Sequence, residues 1–233
     1  MTIAQNFDVL RERIARAARR AGRNPEDVAL MAVTKTQPAE RIVEAYAAGH
    51  RLFGENRVQE FAEKFGSLTQ LHDAEFHMIG HLQSNKAAKA AEIFHAVDSV
   101  DSAKLAERLN AAAGSAGKAL DVLLEVNSGG EAAKSGVAPD SAELERILAA
   151  ASTWPKLRIR GLMTVPPFTD DPEGARPYFR QLRELRERLA GLPFVSLDVL
   201  SMGMSQDFEV AIEEGSTCVR IGTAIFGERT KGW

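Results

Sequence analysis

The sequence predicts an α/β chain of one domain, a single (β/α)8 TIM barrel with an extra helix at its N-terminus. Three observations predict it. Strand-like and helix-like runs alternate from end to end, which favours βα units around a parallel sheet. Eight runs read as strands in a chain of 233 residues, close to the ~250 residues that such barrels use. Several of these runs are nearly continuous in apolar residues, as expected where helices cover both the strands and their neighbours. An open doubly wound sheet is the alternative architecture.

The leading helix, within residues 1–23, rests on the stripe Phe7, Leu10, Ile14, Ala17, Ala18 and Ala21, whose spacing gives one buried helical face. Its arginines, Arg11, Arg13, Arg16, Arg19, Arg20 and Arg23, raise the question of an organellar transit peptide, but Asp8 and Glu12 count against that. The strands then follow at 28–35, 51–56, 75–80, 93–100, 119–127, 159–165, 195–202 and 217–226. Between them lie helical patterns at 38–48, 57–65, 84–91, 102–114, 140–151, 173–190 and 206–213. In the sixth of these, Phe179, Leu182, Leu185 and Leu189 make an apolar face opposite Arg183, Glu184, Arg186, Glu187 and Arg188. The run Ala111 to Gly117 reads as a helix end with its turn. With no internal repeat, low-complexity linker or shift in composition, residues 1–233 read as one unit.

The bulk chemistry excludes several classes of function. The composition is 45% hydrophobic and 26% charged, so a packed core is expected. A net charge of -3 leaves no electrostatic footprint for nucleic acid or an anionic membrane. No run approaches the ~18 apolar residues of a membrane span. Cys218 is the one cysteine, so neither an internal disulfide nor a cysteine-based zinc site is expected, and a reducing cytoplasm is the simplest setting.

Closing a barrel places the C-terminal ends of all eight strands on one face. Those ends read Lys35, then Gly54-Glu55-Asn56, Gly80-His81, Asp98, Asn127, Met163-Thr164, Ser201-Met202-Gly203 and Arg220-Ile221-Gly222-Thr223. Glycines and short polar residues make turns everywhere, and a lysine at a strand mouth is ordinarily a solvated charge. The last two ends are distinctive, because loops after strands 7 and 8 are where barrels frequently bind phosphate. Ser201, Gly203, Ser205, Gly222 and Thr223 offer hydroxyls and close backbone amides suited to an anion. Ser205 also suits the N-cap of the following helix, with Asp207 in its first turn, and that is the role expected of both. Lys35 set over such a cradle could condense with a phosphorylated aldehyde. Arg220 stands inside an apolar strand and cannot lose its proton, so it needs partners: a buried carboxylate, or a ligand's ring nitrogen or phosphate.

The residues that carry this reading also carry a resemblance. Ala32-Val33-Thr34-Lys35, Phe53 to Glu60 (FGENRVQE), His77 to Lys86 (HMIGHLQSNK), Gly161-Leu162-Met163, Leu200 to Ser205 (LSMGMS) and Val219 to Gly227 (VRIGTAIFG) resemble the pyridoxal phosphate homeostasis protein family, in order and across almost the whole chain. The resemblance implies a barrel like the N-terminal domain of alanine racemase, with pyridoxal 5'-phosphate (PLP) held as a Schiff base on Lys35. Carried over position by position, it implies phosphate contacts at Ser201, Gly222 and Thr223, with Gly203 in the same cradle, and places Arg220 opposite the pyridine nitrogen. Asn56, His81 and Met163 become walls of the site.

The resemblance further implies a carrier that buffers or delivers PLP inside the cell without efficient catalysis. An arginine at the ring nitrogen discourages its protonation and weakens the electron sink. Racemisation also requires a second proton-transfer group opposite Lys35. The two tyrosines, Tyr46 and Tyr178, fall in helical patterns, and the chain ends at Trp233 without room for the additional domain that supplies a tyrosine in racemases. His81 is a substitute, so a PLP-dependent amino-acid racemase stays as the alternative, and a Schiff-base aldolase acting on a phosphorylated sugar is a third reading. His77 and His81 are spaced by four but straddle a strand end, so a zinc site is discounted and no metal is expected. The expected partners are PLP and, transiently, PLP-dependent apoenzymes. A monomer is expected, since no second domain is present to complete a partner's site.

Overall fold

The protein is described here by a computed structural model covering residues 1–131 and 135–227, in which eight parallel strands close into a barrel in sequence order. The expected unit 1–233 extends into residues 132–134 and 228–233, which lie outside the described residues. The strands are β1 (Ala29–Val33), β2 (Leu52–Glu55), β3 (Glu75–Met78), β4 (Ala96–Val100), β5 (Leu120–Glu125), β6 (Leu157–Met163), β7 (Val195–Ser201) and β8 (Cys218–Ile221). Closure is made by β8 against β1, with Met31 opposite Arg220 and Ala32 opposite Ile221. The open-sheet alternative is thereby removed.

Side chains alternate across each strand, and the two sides of this barrel differ in chemistry. Outward residues, including Ala32, Phe53, Phe76, Val97, Val122, Ile159, Leu200 and Val219, join the helices in one continuous apolar core. The inner side carries Met31, Leu123, Met163 and Cys218 together with the buried polar groups Asp98, Glu125, Ser201 and Arg220. Asp98 was expected at a strand end but lies in the middle of β4, inside the barrel, where its carboxylate takes the His77 Nδ1 at 3.1 Å.

The outer ring comprises α1 (Ile3–Arg20), α2 (Ala39–Ala47), α3 (Val58–Phe65), α4 (Ala87–Ile93), α5 (Ala103–Ser115), α6 (Ala142–Ala150), α7 (Arg176–Leu189), α8 (Phe208–Glu213) and the short α9 (Thr223–Phe226). The leading helix forms as expected and starts with a capping box: Thr2 Oγ1 accepts from the Gln5 N–H, and Gln5 Oε1 accepts from the Thr2 N–H. Its apolar stripe packs α1 against α8, α9 and α2, while Arg13 pairs with Glu209 at 2.9 Å and Arg20 with Glu213 at 3.0 Å. Among the described residues no helix is long and apolar enough to cross a membrane.

Three expected boundaries are corrected. Residues 223–226 were read as the end of the last strand and form α9 instead, because the β1 pairing ends at Ile221 and the chain turns back, with the Ile225 and Phe226 amides donating to the Gly222 carbonyl. Ile93, taken as the start of the fourth strand, is the end of α4, which begins at Ala87 after a 3-10 turn at Ser84–Lys86; a short apolar run does not by itself separate buried helix from buried strand. Ser205 is not the cap of α8. Asp207 takes that place, and its Oδ1 accepts from the Met204 N–H at 2.6 Å rather than from the helix.

Candidate functional site

Lys35 stands two residues beyond the end of β1, half-buried at the barrel mouth. Because β8 is the other neighbour of β1, the turn after β8 lies beside it: a Cβ on Gly222 would come within 3.4 Å of the Val33 carbonyl oxygen. The sequence-distant pair Lys35 and Gly222-Thr223 is therefore brought together by closure.

Gly222 takes the N-cap position of α9, whose first two amides, of Thr223 and Ala224, precede the first helical hydrogen bond, that of the Ile225 amide to the Gly222 carbonyl. The far end of α9 is held from two sides, by Asn6 Nδ2 on the Ile225 carbonyl at 2.7 Å and by Arg41 Nη2 on the Phe226 carbonyl at 3.2 Å. Across from it, Ser201 ends β7 and Gly203 follows with φ 97°; a Cβ there would stand 2.6 Å from the Ala211 Cβ, so bare backbone is required. Ser201, Gly203, Gly222 and Thr223 thus share one side of the mouth, joined by the Arg220 N–H donating to the Gly203 carbonyl at 2.9 Å.

Arg220 is buried to 4% exposure. The partners that hold it are neutral oxygens: Nη1 donates to Ser201 Oγ at 2.7 Å and Nη2 to the Thr164 carbonyl at 2.7 Å. Thr164 is fixed in turn, its hydroxyl donating to the Val126 carbonyl and meeting Ser128 Oγ. Burial pulls the guanidinium pKa down, and the charges of Asp98, Glu125 and Asp207 push it back up. Two of its five N–H groups are spent on these contacts, leaving a rigid cation with donors for a further acceptor. Ser201, expected at a phosphate, spends its hydroxyl oxygen as an acceptor for Arg220.

The opposite wall is formed by the ends of β2, β3 and β5. Asn56, Ile79, Gly80, His81, Glu125, Val126, Ser135 and Val165 line a cavity of about 220 Å3. Gly80 lies so close to Asn56 that a Cβ would stand 2.4 Å from the Asn56 carbonyl oxygen, and Ser99 Oγ pins the Gly80 carbonyl at 2.7 Å. His81 is exposed, with Nδ1 3.2 Å from Asp101. Met163 is fully buried at the end of β6, in register with Ser201 and Glu125. His77 and His81 go to different partners, Asp98 and Asp101, and do not converge.

Among the described residues two buried atoms here lack a partner: Asn56 Oδ1 and Glu125 Oε2. Glu125 Oε1 accepts from Ser135 Oγ at 2.8 Å, and burial pushes the Glu125 pKa up, Ser135 opposing. Buried polar atoms ordinarily find partners, so this wall has the chemistry of a site that a polar ring completes. Glu125 was not singled out from the sequence. A carboxylate ending the apolar run Leu120 to Glu125 is the same kind of anomaly that drew notice to Arg220.

Comparison with known proteins was made against this geometry. The alanine racemase N-terminal domain family matches residues 5–230. The chain is 45% identical to the pyridoxal phosphate homeostasis protein of Aquifex aeolicus, covering 98% of this chain and 99% of that protein. It is 47% identical to the protein of the same name from Pseudomonas aeruginosa, covering 99% and 97%. PipY of Synechococcus elongatus, solved with PLP bound, superposes with a TM-score of 0.84 at 40% identity, covering 97% of this chain and all (100%) of that one; the structure solved without PLP gives 0.86 at 41% with the same coverage. An alanine racemase from Clostridium difficile shares the fold, with a TM-score of 0.72 at 15% identity over 57% of its chain.

Proposed function

The chain belongs to the pyridoxal phosphate homeostasis protein family, and on that premise we propose that it holds PLP through Lys35 and serves to store and release the cofactor within the cell, without efficient turnover. The observation that carries this reading is the barrel closure, which sets the half-buried Lys35 beside the Gly222-Thr223 turn while Arg220 is fixed at the Ser201 and Thr164 oxygens. When bound, the group supplies an aldehyde able to condense reversibly with an amine and a ring able to draw electrons from it.

Each residue has one task. Ser201, Gly203, Gly222 and Thr223 cradle the phosphate with hydroxyls and bare backbone, helped by the Thr223 and Ala224 amides at the start of α9. Arg220 offers the ring nitrogen a donor that cannot give up its proton, so the nitrogen stays an acceptor. Asn56 and His81 form the polar wall, and the buried Met163 backs the ring. Neither tyrosine is among the residues that line the cavity at the mouth. Tyr46 lies on α2 with its hydroxyl on Asp73, which precedes β3, and so belongs to the end of the barrel away from the mouth. Tyr178 lies on α7. A racemase reading keeps one observation in its favour, the His81–Asp101 pair at the mouth.

The test is a visible spectrum of the purified protein, reduction with borohydride and mapping of the modified peptide. An adduct at Lys35 is expected, and its absence from a PLP-saturated sample sinks the reading. Chiral analysis after incubation with a panel of L-amino acids then tests catalysis. No sustained conversion is expected; conversion abolished by His81→Ala establishes the racemase instead.

A further inference from the structure

Behind Lys35, on the side away from the cradle, three charged side chains from two elements converge on the backbone that carries it. Lys64, on α3, has a side chain only 12% exposed. Its Nζ reaches the Glu55 Oε1 at 2.8 Å, the Gln37 carbonyl at 3.1 Å, the Glu60 Oε1 at 3.2 Å and the Thr34 carbonyl at 3.3 Å. Glu55, fully buried at the end of β2, accepts from the Thr34 hydroxyl at 2.7 Å with the same oxygen. Glu60 Oε1 accepts from the Thr36 N–H at 2.6 Å. Residues 34, 36 and 37 are therefore all tied to one ion cluster, and residue 35 stands between the ties.

Thr36 carries a further sign of the same constraint. Its φ is +63°, a left-handed conformation that β-branched residues rarely adopt. Such strain persists only where the surroundings over-determine it, and here the Glu60 contact fixes the strained peptide directly. A buried ion cluster is a poor device for stability, because desolvation offsets the Coulombic gain. The other carboxylate oxygen of Glu55, Oε2, has no hydrogen-bond partner among the described residues. The arrangement costs the fold and is spent on a loop of four residues around one amine.

We propose that Lys64, Glu55 and Glu60 form a positioning element that fixes the Lys35 amine for capture of PLP. The proposal rests on Lys35 being the anchoring amine. Lys64 and Glu60 touch no ligand in this role; they act through the peptides on either side of Lys35.

The experiment compares the full-length wild type with Lys64→Met, Glu60→Ala and Glu60→Gln. One readout is the rate at which added PLP becomes fixable at Lys35 by borohydride. The other, in cofactor-free protein, is the rate of Lys35 reductive methylation measured by peptide mass spectrometry, with exposed Lys104 as internal reference. Near-UV circular dichroism verifies folding. Lys64→Met and Glu60→Ala are expected to slow capture by about tenfold, as small misplacements of a reacting group do. Glu60→Gln keeps an acceptor for the Thr36 N–H and is expected to restore most of the rate. Glu60→Ala is expected to change the rate of Lys35 methylation relative to Lys104 and Glu60→Gln to return it toward the wild-type value, a rescue through the Thr36 N–H that a general loss of structure does not produce. Capture at the wild-type rate by folded Lys64→Met and Glu60→Ala overturns the proposal; if Lys64→Met does not fold, the Glu60→Ala and Glu60→Gln pair decides it. A wild type that gives no borohydride adduct overturns the Lys35 reading itself, and the methylation rates still report on the positioning element.

Discussion

His77 and Asp98 meet inside the barrel, 3.1 Å apart, with the His77 side chain 20% exposed. Burial alone lowers the imidazole pKa, but the Asp98 charge and its hydrogen bond, with Glu75 behind, outweigh it and push His77 up to about 10. A histidine raised above its unfolded value near 6.5 gives its full stabilisation below that pH and loses it as the pH climbs through about 10. His77→Gln is therefore expected to cost on the order of 3–5 kcal/mol at pH 6, with the deficit shrinking toward pH 10. Urea unfolding of the cofactor-free wild type and variant across that range checks it; a deficit that is constant with pH refutes the pairing. At this scale the sequence was informative about anomalies and blind to convergence. Lys35 and Arg220 stand out because each interrupts an apolar run or ends one. Glu55, Lys64 and Glu60 do not, since an acidic residue at a strand end and an i, i+4 pair on a helix look like ordinary surface chemistry until the fold turns them onto residues 34–37.

Among the elements, α1 and α9 show how far periodicity carries. The stripe on α1 was legible because six positions of one helical face recur over the helix, and each of Phe7, Leu10, Ile14, Ala17 and Ala18 is buried. The four residues of α9 were not, because an apolar run that short fits either period and only the end of the β1 pairing decides it. Phe7 stacks on His50 with centroids 4.5 Å apart, and burial holds the His50 pKa down at about 4. Phe7→Ala is expected to destabilise by about 3–5 kcal/mol at neutral pH, and by admitting water to move the His50 pKa back toward 6.5; thermal unfolding and an imidazole NMR titration measure the two effects. Asn6 is the other half of the argument. Its amide caps the Ile225 carbonyl, so it steadies α9 without touching the site. Asn6→Ala removes one hydrogen bond worth about 1 kcal/mol, and is expected to weaken PLP binding several-fold in equilibrium titration.

Over the whole molecule the barrel interior is an electrostatic object, with the buried Arg220 guanidinium among its acidic groups. Eight-fold alternation of strands and helices was enough to announce the closed barrel, because it depends only on patterns local to each segment. The inner layer was not legible, since which residues of separate strands share it is fixed by register. That register gathers Asp98 from β4, Glu125 from β5 and Asp207 from before α8 around one guanidinium, whose hydrogen bonds go to neutral Ser201 and Thr164. Burial already pushes the pKa values of Glu125 and Asp207 up, and Arg220 counters it in both. Removing the cation leaves these carboxylates desolvated and uncompensated, so their pKa values rise further. A carboxylate whose folded pKa lies above its unfolded value binds its proton more tightly when folded, and stability then falls as pH rises through that interval. Arg220→Met is accordingly expected to cost about 3–5 kcal/mol at pH 8 and distinctly less at pH 5, where the carboxylates take up protons. Urea unfolding of cofactor-free wild type and variant at both values separates the two contributions: a loss that narrows at low pH measures the charge balance, whereas an equal loss at both pH values assigns it to the broken Ser201 and Thr164 contacts and removes the balancing role from Arg220.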